Sequence, residues 1–208
     1  GLSNVSIINS NDITVTESNY SALNNVTSLT EVLFVQTANQ SIVNSTTETT
    51  LFGTGLGSVT IPSNSLNVGD VIRIKIKGVY SAIFVFPNVV GYFKTRFKIN
   101  GTTLETNTCT GVIDTNPDLR DFEIEALLTI RTVGASGSFM SHGTISYQKL
   151  DAANTFYKLA ESLSLTTGTT TINTTIANAL DFTTEIEYSN ANTGIVVTEC
   201  LIEKIRKW

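Results

Sequence analysis

Residues Asp70–Tyr80 read DVIRIKIKGVY, and the fold turns on how that stretch is laid out. In an extended chain successive side chains point to opposite faces, so Ile72, Ile74 and Ile76 share one face and Arg73, Lys75 and Lys77 the other. The pattern returns in FKTRFKIN (Phe93–Asn100), where Phe93, Phe97 and Ile99 oppose Lys94, Arg96 and Lys98. Two basic strand faces in a chain of net charge −5 and pI near 4.9 need an answer.

The same chain supplies carboxylates in the same rhythm. DFEIEALL sets Phe122, Ile124 and Ala126 against Asp121, Glu123 and Glu125; TTEIEY places Glu185 and Glu187 around Ile186; VVTECLIEKI carries Glu199 and Glu203. Six cations side by side on one sheet face would repel across strands. Basic strands are therefore expected beside acidic strands, or opposite them across a subunit contact. Exposed pairs contribute only about 0–1 kcal/mol each, so such a ladder acts on register and partner choice more than on stability. An acidic balance also argues against a nucleic-acid partner, which calls for a net basic face or arm.

Working outward, almost every periodic segment has period two, and no stretch offers an apolar stripe at helical spacing. Candidate strands are Ile13–Thr16, Val32–Gln36, Thr49–Ile61, Val71–Tyr80 and Gly91–Asn100, then Phe122–Val133, Ser138–Lys149, Phe156–Leu165, Ala177–Tyr188 and Gly194–Ile205. Turn chemistry in PSNSLNVGD, FPNVVG, NGT, GASG and LTTGTT separates them. About nine or ten short strands so spaced predict an all-β protein, an antiparallel β-sandwich of jelly-roll type. SALNNVTSL (21–29) is the one place for a turn or two of helix. The 208 residues are 15% charged, against about 25% for ordinary soluble domains; Thr, Asn and Ser take the place of charge. Residues 1–30, rich in Asn and Ser with little alternation, read as a lead-in or anchor segment, and 31–208 as one sandwich domain. No apolar run is long enough to cross a bilayer, so no membrane insertion is expected, and no leader is visible.

AIFVFPNVVGYF (Ala82–Phe93) departs from the rule of alternation. It is apolar on both faces, so something must cover the second one. A subunit interface through Ile83, Phe84, Val85, Phe86, Tyr92 and Phe93 is the leading expectation; burial on the same sandwich and contact with a ligand stay open.

Signals for chemistry are sparse. The one histidine, His142 in MSHGTIS, has no Cys or clustered carboxylates with which to build a zinc site, and reads as a strand residue. No nucleophile elbow or Cys/His pair is visible. DTNPDLRDFEIE places Asp114, Asn116, Asp118 and Glu125 at calcium-loop offsets, but Leu119 stands where such a loop needs Gly and Pro117 interrupts it; an ordinary turn is expected. GTGLGS (Gly53–Ser58) has no following helix to aim at a phosphate, and reads as a kinked strand. Asn4, Asn19, Asn25, Asn39, Asn44, Asn100 and Asn173 stand in N-x-[ST] contexts that so much Asn and Thr produces by chance. Glu123/Glu125 and Glu185/Glu187 have neighbouring cations to account for them without a glycosidase cleft. Cys109 and Cys200 either pair, given an oxidising compartment, or stand as two buried thiols, the plainer reading. No catalytic residue, metal or cofactor is expected.

Leu33–Ser81, from LFVQTANQ to IKIKGVYS, resembles the opening of jelly-roll head domains of bacteriophage and related viral tail-fibre or capsid-fibre proteins. FKINGTTL, DFEIEALLTIRTVGASGSFMSHGTISY and the closing TTINTTIANALDFTTEIEYSNANTGIVVTECLIEKI are similar to the same pattern, so the resemblance spans most of the chain after residue 30. The resemblance implies a non-enzymatic virion surface protein: a homotrimeric knob whose N-terminal lead meets other virion proteins and whose loops meet a host-surface glycan or protein. The rival readings are a lectin-like module, with Tyr80, Tyr92 or Tyr157 as stacking platforms, and a capsid shell subunit.

Overall fold

A computed structural model describes residues 28–43, 45–81, 92–110, 119–150, 156–164, 168–186 and 193–207. Among them there is no helix. In chain order the strands are β1 (Ser28–Gln36), β2 (Gln40–Val43), β3 (Thr49–Thr50), β4 (Gly55–Gly57), β5 (Thr60–Ile61), β6 (Val71–Ser81) and β7 (Tyr92–Ile99). They continue as β8 (Thr102–Thr110), β9 (Arg120–Thr132), β10 (Gly137–Leu150), β11 (Phe156–Ser164), β12 (Gly168–Ile172), β13 (Asn178–Ile186) and β14 (Gly194–Lys207).

These strands form two antiparallel sheets packed face to face. One runs β11-β10-β9-β6-β14-β1-β4, with β12 also on β10 and β2 also on β14; the other runs β3-β13-β7-β8, with β5 also on β13. Alternation in β6 buries Ile72, Ile74 and Ile76 completely. They join one core with Ile124 and Leu128 of β9, Ile202 of β14, and Phe97 and Phe182 of the other sheet. Phe97 and Phe182 stack with ring centroids 4.9 Å apart. Phe93 spans the two layers, with its ring 5.1 Å from Tyr80 and edge-on to Tyr147 at 5.8 Å. A core of this kind is the main stabilising term in such a domain.

The two ends of the sandwich differ. Ser28 pairs with Lys207 at one end, where short turns interlock: Asn64 N donates to Thr174 O at 2.8 Å and Gly134 N to Thr174 Oγ1 at 2.8 Å. The two-residue turn Asn100–Gly101 lies at this end too, both residues at positive φ (51° and 76°), as a right-twisting hairpin requires. Asn100 ties the turn down: its Nδ2 donates to Asn178 Oδ1 at 3.0 Å, and its Oδ1 accepts from Ala179 N at 2.8 Å. At the opposite end lie Ser81, Tyr92, Ile186 and Gly194, with Ser81 paired to Gly194 and Phe93 to Ile186. The connections 82–91, 111–118, 151–155 and 187–192 start and finish there, and lie outside the described residues.

Several expectations need correction. β1 already pairs with β14 from Ser28, three residues before the start expected near Glu31. Residues 21–27 of the expected helical turn lie outside the described residues, as does the candidate strand Ile13–Thr16; Ser28 and Leu29 are strand. The single strand Thr49–Ile61 is three short ones. β3 pairs with β13, the chain then crosses to pair β4 with β1, and β5 returns to β13. Glycine makes this crossing: a Cβ on Gly55 would lie 2.4 Å from Val35 O, and Gly57 sits at φ 87°. β2, β8 and β12 were not foreseen, so the described residues hold fourteen strands rather than nine or ten.

Candidate functional site

Outward side chains of both sheets carry the charged residues. On the nine-stranded sheet β6 lies between β9 and β14, with Lys75 opposite Glu125, Lys77 opposite Glu123 and Glu199, and Arg73 opposite Glu203. Arg73 Nε donates to Glu203 Oε2 at 2.8 Å, and its Nη2 reaches the same oxygen. Lys75 and Lys77 both approach Glu123 Oε1, at 3.5 and 3.6 Å. Glu125 faces Lys75 in register and is exposed, without reaching it.

On the five-stranded sheet β7 lies between β13 and β8. Arg96 Nη2 donates to Glu185 at 2.6 Å, and its Nη1 lies 3.3 Å from Glu48 Oε2. Lys98 pairs with the other oxygen of Glu48, and Thr183 donates to Glu48 Oε1 at 2.7 Å. The bonds from Lys98 and Thr183 hold the Glu48 carboxyl below its ordinary range. Lys94 lies over the Tyr92 ring, 4.6 Å from its centroid. Asp181, opposite Lys98, accepts from Thr50 Oγ1 at 2.6 Å, yet burial raises its pKa. Glu187 lies outside the described residues.

Two carboxylates in these networks, Glu48 and Glu31, stand in stretches with no alternation to mark them. Glu31 answers Lys204, which shares the parity of Cys200 and Ile202, points inward and is buried; Lys204 Nζ lies 2.6 Å from Glu31 Oε2. Parity alone would have placed Lys204.

The expected apolar interface divides. Ile83, Phe84, Val85 and Phe86 lie outside the described residues. Tyr92 is half-buried beneath Lys94. Phe93 is a core residue, because β7 turns it inward onto Tyr80, Phe122 and Tyr147, so it is not available to another subunit. Tyr80 is likewise not a stacking platform: it is buried, and its hydroxyl donates to the Gln148 carbonyl. Burial pushes its phenol up to about 12, against the opposing pull of Arg120 beside it. The side chain of Tyr157 lies outside the described residues.

Cys109 and Cys200 are buried on opposite sheets and are not joined to each other, and burial pushes the Cys200 thiol up to about 12. His142 is an exposed residue of β10. Among the described residues no three His, Cys, Asp or Glu side chains converge as a metal site; Asp114, Asn116 and Asp118 lie outside them. GTGLGS is a kinked crossing, and it roofs an open cleft of ≈ 680 Å³ bordered by Phe34, Phe52, Leu180 and Asp181. A smaller depression of ≈ 420 Å³ lies over Lys77, Asp121, Glu123 and Gln148. Its polar groups are engaged with one another: Gln148 Nε2 donates to Asp121 Oδ2 at 3.1 Å, and Lys77 approaches Glu123. Neither hollow brings together a nucleophile, a base and an orienting group. Compared with known proteins, the chain matches no family model and no curated protein.

Proposed function

We propose that this chain is a non-enzymatic structural protein of a virion, the jelly-roll head of a homotrimeric fibre or a capsid decoration, displayed on the particle surface for attachment to a host. The observation that carries this reading is the polarity of the sandwich. Ser28 and Lys207 lie paired at one end, and the described strands that flank residues 82–91, 111–118, 151–155 and 187–192 end at the other. A head that must be tethered at one pole and present variable loops at the opposite pole needs this division.

The jelly-roll assignment draws support from the path of the chain. β6→β7, β8→β9 and β13→β14 each pass from one sheet to the other at the loop-bearing end, whereas a simple meander would stay within a sheet. Nucleic acid is an unsuitable partner, because Arg73, Lys75, Arg96 and Lys98 already meet carboxylates. Three copies on one stalk would raise the strength of a weak contact by about a hundredfold or more through effective concentration. In this reading the segment before Ser28 meets other virion proteins, and the loop end meets a surface glycan or protein.

Immunogold labelling, with antibodies raised to the folded chain and applied to particles from cultures that make it, tests the reading. Gold on the outside of intact particles is expected. Label confined to cells or to disrupted particles would overturn it.

A further inference from the structure

We infer that the outer face of the nine-stranded sheet is a contact surface for a second copy of this chain, centred on Leu56, Val35, Leu201 and Leu127. This inference rests on the assembled state proposed above and names the face that makes it. Register fixes the geometry. Leu56, Val35, Leu201 and Lys75 lie in one row across β4, β1, β14 and β6, and Val32, Glu203, Arg73 and Leu127 lie in the next row across β1, β14, β6 and β9. Leu56 is 68% exposed, Val32 55%, Leu127 37% and Val35 36%. In the following row Met140, 39% exposed, continues from Ile205, Val71 and Thr129.

Exposed apolar side chains in three successive rows of one sheet face, parted only by ion-paired residues, are unusual for a chain that stays single. The five-stranded sheet is the internal control, since its outer face carries Lys94, Arg96, Lys98, Thr106, Thr108 and Glu185 around one tyrosine.

A second copy is the occupant that fits. Charges on the face are already matched: Arg73 is bound by Glu203, and Lys75 and Lys77 share Glu123. Copies of this face turned toward a common three-fold axis can therefore approach without bringing a net charge of one sign, while a polyanion would find the cations engaged. The size also suits. The five strands β1, β14, β6, β9 and β10, about 4.8 Å wide and about nine residues long at about 3.3 Å each, span about 700 Å², near the share one partner contributes to a standard interface.

Light scattering after size exclusion tests this on the full chain, with Val35→Lys and Leu127→Lys made separately and Thr108→Lys as the control on the other sheet. The parent chain should run as a multiple of 22.4 kDa. Either lysine on the nine-stranded face should weaken assembly by about tenfold or more, the scale for an uncompensated charge at a buried contact, with the far-UV spectrum unchanged; Thr108→Lys should leave the mass alone. Acylation of the unmutated chain gives an independent readout, with Lys75 and Lys77 protected relative to Lys94 and the protection lost on dilution. An oligomer indifferent to both lysines, with Lys75 and Lys77 labelling freely, overturns the inference and leaves assembly standing. A parent chain of single-chain mass at every concentration overturns both.

Discussion

The outer face of the five-stranded sheet sets Lys94, Arg96 and Lys98 among threonines and carboxylates, whereas that of the nine-stranded sheet sets Arg73, Lys75 and Lys77 among glutamates and leucines, with Val35, Val32 and Leu56 beyond them. Both use one rule, a basic strand flanked by acidic neighbours, in two different settings. On the smaller sheet the ion pairs are the surface itself, in company that water suits. On the larger sheet they neutralise one another beside exposed leucines and valines. Identical ladders can therefore do different work, and the residues between the charges decide which.

Both faces rest on one core, and the largest expected effect tests that premise. Phe97→Ala should cost about 3–5 kcal/mol in urea unfolding, because Phe97 is buried and stacked on Phe182. A loss under about 1 kcal/mol, the range of a surface change, would mean that the sheets do not pack as described. Next in size is Glu203→Gln. The Glu203 side chain is only 11% exposed and takes two bonds from Arg73, so a loss of about 1–2 kcal/mol is expected. Lys75→Ala breaks an exposed pair on the same strand and should cost about 0–1 kcal/mol. Equal losses for these two would erase the distinction between a sheltered pair and an open one within a single ladder.

How far the sequence carries is visible in these residues. Strict alternation in β6, β7 and β9 made their inner and outer faces readable, and with them most of the core. β8 escaped because TTLETNTCT puts threonine or asparagine on both faces, so burial leaves no mark on the pattern. β12, GTTTI, escaped for the same reason. The crossing at Gly55–Gly57 depends on which sheet has a vacant edge, and a local window holds no such information. The apolar face was missed because Val32, Val35, Leu56 and Leu127 come from three separate strands and become neighbours only through pairing.

Acid separates two carboxylates of the five-stranded face by direction. Glu48 has its folded pKa depressed, so its contribution is present above the unfolded value near 4.5 and is lost as pH falls through the lower folded one. Asp181 has its folded pKa raised by burial, so its charge opposes folding at neutral pH and protonation relieves it. Thermal melts should show Glu48→Gln less acid-sensitive than the parent chain, and Asp181→Asn more stable at pH 7 but not at low pH. A parallel acid response in both variants would show that the five-stranded face is not held by these carboxylates. The smallest effect expected is on chemistry rather than stability: Cys200 should resist thiol reagents in the native state and react on unfolding, because burial keeps its thiol protonated. Rapid labelling of native protein would place that thiol outside the core.

The pairing of β1 with β14 also has a mechanical side. Seven register pairs run from Ser28–Lys207 to Val35–Leu201. A pull that separates Ser28 from Lys207 peels these pairs apart singly, like a zip. A pull between Ser28 and the loop-bearing pole instead slides one strand along the other and loads all of them together. Pulled between Ser28 and the opposite pole, the domain would meet force along its stiff axis.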